Sequence, residues 1–281
     1  MFSRTSAGLL RPKGDHADEP SGPRPTAAVH DEPDGASTGH GSVITKGNAM
    51  TSVRTPGESS ILRVGGACAA VAGIFTLAAA VVYLLLPSEQ RAAVGGAVLL
   101  PSVAEGAGTL QFEFVLLALV GVFGLGVVPG LVRLVEDASP GLVRWLGTLA
   151  TVGYAFTSAS YFFAMGRLPR VADAYVAGDE STRAALLATW RSSLDLQGYW
   201  QFLAFGVFVV LVSVLAMRLT RLPSALCWLG LLVGALSVLA TIGSGTGTPS
   251  FLTGVVAAAA VVVPAWYLWV GVEMYRRGTA A

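Results

Sequence analysis

Beyond Asn48 the chain contains no lysine, no histidine and no further asparagine, because Lys13, Lys46 and all three histidines lie before that residue. The absence removes the commonest general base, the commonest imidazole metal ligand and any lysine Schiff base from most of the protein. Cysteine is scarce too. Cys68 and Cys227 stand in apolar surroundings, which favours packing roles over a disulfide framework. We therefore expect no bound metal and no cofactor.

Charged residues are also few. Only 12% of the residues are charged and 53% are hydrophobic, whereas a soluble domain carries roughly 25% charged residues. A helix needs roughly 20 apolar residues to cross the hydrocarbon core of a bilayer. Six segments meet this need, at residues 64–86, 110–132, 145–165, 196–217, 223–242 and 251–272. We predict an all-α, polytopic transmembrane bundle of six spans over residues 61–277, with the lipid bilayer as a partner and no nucleic-acid partner.

The first 60 residues have a different composition. They are rich in proline and in charged residues and hold almost no runs of branched or aromatic side chains. Such a segment cannot bury enough apolar surface to offset the entropy lost on ordering. We therefore predict a disordered, polar cytoplasmic tail over residues 1–60, with Met50 as an alternative start of translation.

Arginines flank the six spans unevenly. If the N-terminus is cytoplasmic, the inner set is Arg54, Arg63, Arg133, Arg144, Arg218, Arg221, Arg276 and Arg277, and the outer set is Arg91, Arg167, Arg170, Arg183 and Arg191. Short cytoplasmic loops carry the excess of positive charge in membrane proteins. We predict a multi-pass protein of the bacterial cytoplasmic membrane with both termini in the cytoplasm.

The connection over residues 167–195 is the longest one between spans. It contains a helical pattern from about Ser181, and acidic residues just before that point are typical of a helix N-terminus. The apolar residues that fall on one face of this pattern are Ala184, Leu187, Trp190 and Leu194. We expect an outer loop with an amphipathic interfacial helix, which serves as an anchor or as a lid over an outward cavity.

Polar residues inside the spans are the candidates for a functional site, because polar groups are costly in lipid. The set comprises Glu113 in span two, Tyr154, Ser158 and Tyr161 in span three, and Asp195, Gln197 and Gln201 at the start of span four. The three residues of span three recur at i, i+4 and i+7 and share one helix face. The set predicts a small outward-facing polar pocket. Two alternatives are interhelical hydrogen bonding and, for Glu113, a side chain that snorkels to the membrane surface.

Two spans carry a G-x-x-x-G motif, Gly126 with Gly130 in span two and Gly230 with Gly234 in span five. Small residues at this spacing let two helices approach closely. The motifs predict close packing within the chain or, alternatively, a homodimer through one of the two glycine faces.

Aromatic residues cluster near the predicted inner end of span six, at Trp266, Tyr267 and Trp269. Tryptophan and tyrosine are enriched where a helix meets the membrane surface. We interpret these three as an interfacial aromatic belt.

Several short motifs follow one another along the chain in an order that is typical of one family of membrane proteins. Gln197-Gly198-Tyr199-Trp200-Gln201 opens span four, Arg221-Leu222-Pro223 and Trp228-Leu229-Gly230 enter span five, and a run from Pro264 to Trp269 precedes Arg276-Arg277. Over residues 61–277 the chain resembles an uncharacterised bacterial family of six-span membrane proteins, of the domain-of-unknown-function 4386 type. The resemblance implies a membrane protein and supplies no catalytic residue, substrate or cofactor.

Three classes of function fit these features. A transporter of a small or lipophilic solute would use Glu113 or Asp195 to contact a proton or a cation. A membrane enzyme acting on a lipid or isoprenoid would use Glu113 as an acid, with the span-three tyrosines as orienting donors. A structural or regulatory protein would act through the glycine faces or the tail. The lack of histidine and lysine in the spans argues against the enzyme.

Overall fold

The structure, a computed structural model, describes residues 56–91, 95–190, 195, 198–246 and 249–280. Residues 1–55 of the predicted tail, with Met50, lie outside these ranges, and so do Arg191, Leu194 and Gln197. Within the described ranges the α-helices are α1 (Pro56–Leu85), α2 (Gly96–Glu105), α3 (Gly108–Val135), α4 (Pro140–Ala177), α5 (Glu180–Thr189), α6 (Tyr199–Arg218), α7 (Ser224–Thr246) and α8 (Pro249–Thr279). A short 3-10 turn, Ser88–Gln90, lies between α1 and α2.

Five of the described helices, α1, α3, α6, α7 and α8, are long and apolar enough to cross a membrane. They contain the first, second, fourth, fifth and sixth predicted spans. The third predicted span lies in α4, a 38-residue helix that is more polar and is not among the five. A Cβ atom on Gly147 of α4 would lie 3.0 Å from Val132 near one end of α3, while Gln111 at the other end of α3 contacts Met165. Because α4 runs the whole length of α3, it forms the sixth long helix of the predicted all-α transmembrane bundle.

The six long helices form an up-and-down ring in the order α1, α3, α4, α6, α7 and α8, and α8 packs back against α1. Neighbours run antiparallel, so the start of α1 and the end of α8 lie together, with Gly278 against Ser59. We call this end of the ring the basal end. The opposite end, the cap end, carries α2, the 3-10 turn, the last turns of α4 and all of α5.

Close helix contacts in the basal half depend on glycine. A Cβ atom added to Gly66 of α1 would lie 2.7 Å from the carbonyl oxygen of Gly271 and 2.7 Å from the amide nitrogen of Tyr275, both in α8. A Cβ atom on Gly271 would in turn lie 2.8 Å from the carbonyl oxygen of Gly66. The backbones of α1 and α8 therefore touch, as they do in small-residue helix pairs in other membrane proteins.

Both G-x-x-x-G faces also point at other helices of the same chain. A Cβ atom on Gly126 would lie 2.5 Å from the sulfur of Cys68 in α1, and Gly130 faces Met274 in α8. In α7, a Cβ atom on Gly234 would lie 2.8 Å from the carbonyl oxygen of Gly206 in α6. The glycine faces are used for packing within the chain, and the homodimer through them stays a prediction.

The cap end has its own small hydrophobic core. Leu86, just after α1, meets buried side chains from α2, α3 and α4 there, and Leu187 and Trp190 from the region of α5 pack against them. Arg183 donates two hydrogen bonds, each 3.1 Å long, to the carbonyl oxygens of Tyr175 and Val176 at the end of α4. Cations at a helix C-terminus are favourable. This contact holds α5 against the last turn of α4.

Residues 167–177, predicted as the start of the outer loop, belong to helix α4 instead. Pro169 lies inside the helix and has no N–H to donate to the carbonyl oxygen of Met165. The side-chain nitrogen of Gln111 in α3 donates to that oxygen over 3.3 Å. The freed carbonyl is therefore satisfied, and α4 continues to Ala177. Helix α5 then covers residues 180–189, where the sequence pattern placed a helix.

Candidate functional site

A cavity of about 470 Å³ lies inside the helix ring, in its cap half. Side chains of all six long helices line it, together with Gln90 and Arg91 after α1 and Trp190 after α5. Pockets for small molecules have volumes of roughly 300–1,000 Å³. The cavity is therefore large enough to hold a small organic molecule.

The wall of the cavity is amphipathic. One side comes from α1, α7 and α8 and is mainly apolar, because the hydroxyls of Thr76 and Ser237 donate to backbone oxygens of their own helices. Ala79, Ala240 and Ala260 leave room for a ligand on this side. The other side comes from α3, α4 and α6 and carries the polar groups of Glu113 and Gln201. A molecule in this cavity would contact hydrocarbon on one side and hydrogen-bonding groups on the other.

Aromatic residues form the floor of the cavity toward the basal end. The hydroxyl groups of Tyr154 in α4 and Tyr267 in α8 are hydrogen-bonded at 2.6 Å. The ring of Phe205 in α6 packs on both, at centroid distances of 5.8 Å and 5.9 Å. Trp266 packs on Tyr267 at 5.1 Å. The two hydroxyls pair with each other in an apolar region, so the floor joins α4, α6 and α8 without leaving either hydroxyl unpaired.

Glu113 lies within the first two turns of α3, and its side chain is only 8% exposed. Over the described ranges no hydrogen bond and no ion pair reaches its carboxyl group. It lies in the cavity wall, so it does not snorkel to the membrane surface. A charged group buried without a partner is costly. The position of Glu113 therefore requires a reason other than the stability of the protein.

Tyr161 and Gln201 lie on the same polar wall as Glu113. The side chain of Gln201 hydrogen-bonds to the hydroxyl of Tyr161, and the Tyr161 ring packs on Phe114 at 5.7 Å. Gln201 is 4% exposed, and its side-chain oxygen has no hydrogen-bond partner within the part of the chain that the structure describes. This wall therefore holds two acceptors that lack a donor among the described residues, the Gln201 side-chain oxygen and the Glu113 carboxyl group.

The structure brings four of the seven predicted pocket residues into the cavity wall: Glu113, Tyr154, Tyr161 and Gln201. Ser158 lies outside the lining, because its backbone packs on α3, where a Cβ atom on Gly121 would lie 2.6 Å from the Ser158 nitrogen. Gln197 lies outside the described residues.

Asp195 caps the start of α6 and does not line the cavity. Its two carboxylate oxygens accept hydrogen bonds from the amide groups of Trp200, at 3.1 Å, and Gln201, at 2.9 Å. Carboxylates at a helix N-terminus satisfy free N–H groups and oppose the positive end of the helix dipole. Asp195 therefore fixes the start of α6 and the backbone of Gln201, one residue of the cavity wall.

Two aromatic residues that we interpreted as an interfacial belt belong to the floor. Trp266 and Tyr267 are each 2% exposed, so the belt interpretation is wrong for them, whereas Trp269 is exposed on the outside of the ring. Residue spacing does not distinguish a belt from a cavity floor here, because the three aromatic residues lie within four positions of one another and suit both uses.

The 3-10 turn also contributes to the cavity, and no motif in the sequence indicated this. The side-chain nitrogen of Gln90 donates to the backbone oxygens of Ser102 and Gly106 at 3.0 Å and 2.9 Å. The guanidinium of Arg91 donates to the carbonyl oxygens of Leu84 and Leu86, each at 3.1 Å. These bonds tie the turn to α2 and to the end of α1. They place Gln90 and Arg91 at the cap side of the cavity.

No group of three or more histidine, cysteine, aspartate or glutamate side chains suited to a metal ion occurs among the residues that the structure describes. No curated protein and no solved structure matches the chain. The model of one family, described as "Domain of unknown function (DUF4386)", matches residues 71–272. That stretch includes all or part of every long helix that lines the cavity, and the match confirms the resemblance noted in the sequence. The chain is a multi-pass membrane protein that belongs to the DUF4386 family.

Proposed function

We propose that this protein binds a lipophilic solute with a polar head inside its helix ring and carries that solute across the membrane. The observation that carries the proposal is the cavity of about 470 Å³, which is mainly apolar on one side and carries the polar groups of Glu113 and Gln201 on the other. Apolar surface buried in such a cavity contributes roughly 25 cal/mol per Å². A few polar groups then fix the orientation of the ligand.

The charge distribution supports an outward-facing cavity. Among the described arginines, those at the basal end are Arg63, Arg133, Arg144, Arg218, Arg221, Arg276 and Arg277, and those at the cap end are Arg91, Arg167, Arg170 and Arg183. The positive-inside rule favours the basal end in the cytoplasm. Both termini would then be cytoplasmic, and the cavity would lie in the outer half of a bacterial cytoplasmic membrane.

Helix α8 supports a carrier function in a second way. Pro264 lies inside α8, next to the floor residues Trp266 and Tyr267. It has no N–H to donate to the carbonyl oxygen of Ala260, one turn earlier in the cavity wall. Interrupted helices beside a central site are common in transporters, where they bend as the site changes sides. We propose that α8 bends at Pro264 and that this movement opens the floor.

A substitution that fills the cavity with a larger side chain tests whether the solute binds there. Ala260→Phe puts a ring into the cavity, whereas Ala257→Phe on the same helix puts a ring at an exposed position outside the lining. Binding of radiolabelled decan-1-ol and decylamine is measured in lipid nanodiscs, with empty nanodiscs subtracted. We expect Ala260→Phe to abolish the saturable binding and Ala257→Phe to leave it intact. If neither probe binds saturably, or if both variants behave alike, the proposal is wrong.

A further inference from the structure

We infer that the polar head of the solute is a protonated amine and that the Glu113 carboxylate is its counter-ion. This inference rests on the proposed function, because it specifies the ligand of the same cavity. Glu113 is the one acidic side chain in the lining among the described residues, and nothing within those residues pairs with it.

The chemistry of Glu113 selects the ligand. An ionised carboxylate accepts hydrogen bonds and donates none, and a buried charge is tolerated when an opposite charge pairs with it. An ammonium group supplies that charge together with up to three N–H donors. A second carboxylate in the cavity would instead repel Glu113.

Other polar groups near the cavity are consistent with the same ligand, because several of their donors already have acceptors. The hydroxyls of Tyr154 and Tyr267 share one hydrogen bond, and the side-chain nitrogen of Gln201 donates to the Tyr161 oxygen. The side-chain nitrogen of Gln90 bonds to the backbone of α2 and its C-terminal residue. The Gln201 oxygen, in contrast, has no donor within the described ranges. In the part of the chain that the structure describes, Glu113 and the Gln201 oxygen are acceptors without donors, so a ligand that donates fits this part of the wall.

Arg91 is the one cation in the described lining, and it is committed elsewhere. Its Nε and Nη2 atoms donate to carbonyl oxygens at the end of α1. Aromatic rings around the polar wall also favour a cation, since Phe114 and Tyr161 stand beside Glu113 in the lining. An anionic head bound to Arg91 is the competing arrangement.

The test compares three probes with the same chain and different heads: decylamine, decan-1-ol and decanoate. Each is measured on the intact protein in lipid nanodiscs at neutral pH, with empty nanodiscs subtracted. We expect decylamine to bind the wild-type protein most tightly and decanoate most weakly. This ranking needs no substitution, so it holds whether or not a variant folds.

The variant Glu113→Gln keeps the size of the side chain and removes its charge. Hydrogen bonds to a charged group are worth about 1.5–3 kcal/mol, so we expect a loss of about 10- to 100-fold in decylamine affinity. The affinity for decan-1-ol should change little. Glu105→Gln, at an exposed position outside the lining, is the matched control and should leave all three affinities unchanged.

Two results would overturn the inference while the proposed function stands. One is saturable binding, blocked by Ala260→Phe, in which decylamine and decan-1-ol bind equally well and Glu113→Gln changes neither. The other is decanoate binding more tightly than decylamine, which would assign the head to Arg91. Absence of any binding that Ala260→Phe blocks would instead refute the proposed function itself.

Discussion

A methyl group at Gly66 should separate α1 from α8. In the structure a Cβ atom on this residue would lie 2.7 Å from two backbone atoms of α8, the Gly271 oxygen and the Tyr275 nitrogen. Ordinary carbon contacts are about 3.5–4.0 Å long. Backbone atoms cannot rotate away as side chains do, so Gly66→Ala must push the two helices apart along their shared interface.

The expected magnitude follows from two opposing effects. Overpacking in a tight interior costs about 1–3 kcal/mol, while alanine in place of glycine favours the helix by about 1 kcal/mol. The difference is a loss of up to about 2 kcal/mol in the free energy of unfolding for Gly66→Ala. Gly254→Ala in α8 is the matched control, because nothing lies within 4 Å of its added Cβ atom. It should be neutral, or stabilising by up to about 1 kcal/mol.

Reversible unfolding in mixed micelles with increasing sodium dodecyl sulfate measures both variants against the wild-type protein. The structure predicts that the midpoint falls for Gly66→Ala and stays or rises for Gly254→Ala. If Gly66→Ala were as stable as Gly254→Ala, the close approach of α1 and α8 would be refuted.

Three further predictions concern hydrogen bonds. Tyr154→Phe and Tyr267→Phe should each cost about 1–2 kcal/mol of stability, and the double variant less than their sum, because each single change leaves a buried hydroxyl unpaired; additive losses in a double-mutant cycle would contradict this. Gln111→Leu should cost about 1 kcal/mol by unfolding midpoint, since it leaves a carbonyl oxygen of α4 without a donor; an unchanged midpoint would contradict it. Hydrogen bonds from Thr182 lower the pKa of Asp179, so the start of α5 is stabilised near neutral pH and loses this contribution as the pH falls through the lowered pKa. Hydrogen exchange at the Thr182 amide, corrected for intrinsic rates, should show that loss in the wild-type protein and not in Asp179→Ala.

The membrane spans could be predicted from the sequence, because hydropathy and length determine which segments suit a bilayer. The third span is instructive. Its threonine, serine and tyrosine residues make α4 more polar than its neighbours, yet that polar face was the signal that located one wall of the cavity. Tyr154 and Tyr161 were found in this way.

The packing of the spans could not be predicted, since hydropathy shows where a helix crosses and not which neighbour it faces. Gly66 and Gly271 form the close pair between α1 and α8, but neither has a glycine four residues away that would have identified it. Residue spacing also could not distinguish a polar residue that caps a helix from one that lines the cavity near the same helix start. Asp195 is a cap and Gln201 is a wall residue, although they lie six positions apart.

The most direct test of the account is an experimental structure of the protein in lipid nanodiscs equilibrated with decylamine. We predict elongated density in the cavity, with the alkyl chain against Ala260 and the nitrogen at hydrogen-bonding distance, about 2.7–2.9 Å, from the Glu113 carboxylate. A collapsed cavity in which Glu113 pairs with a side chain of the protein would contradict the account.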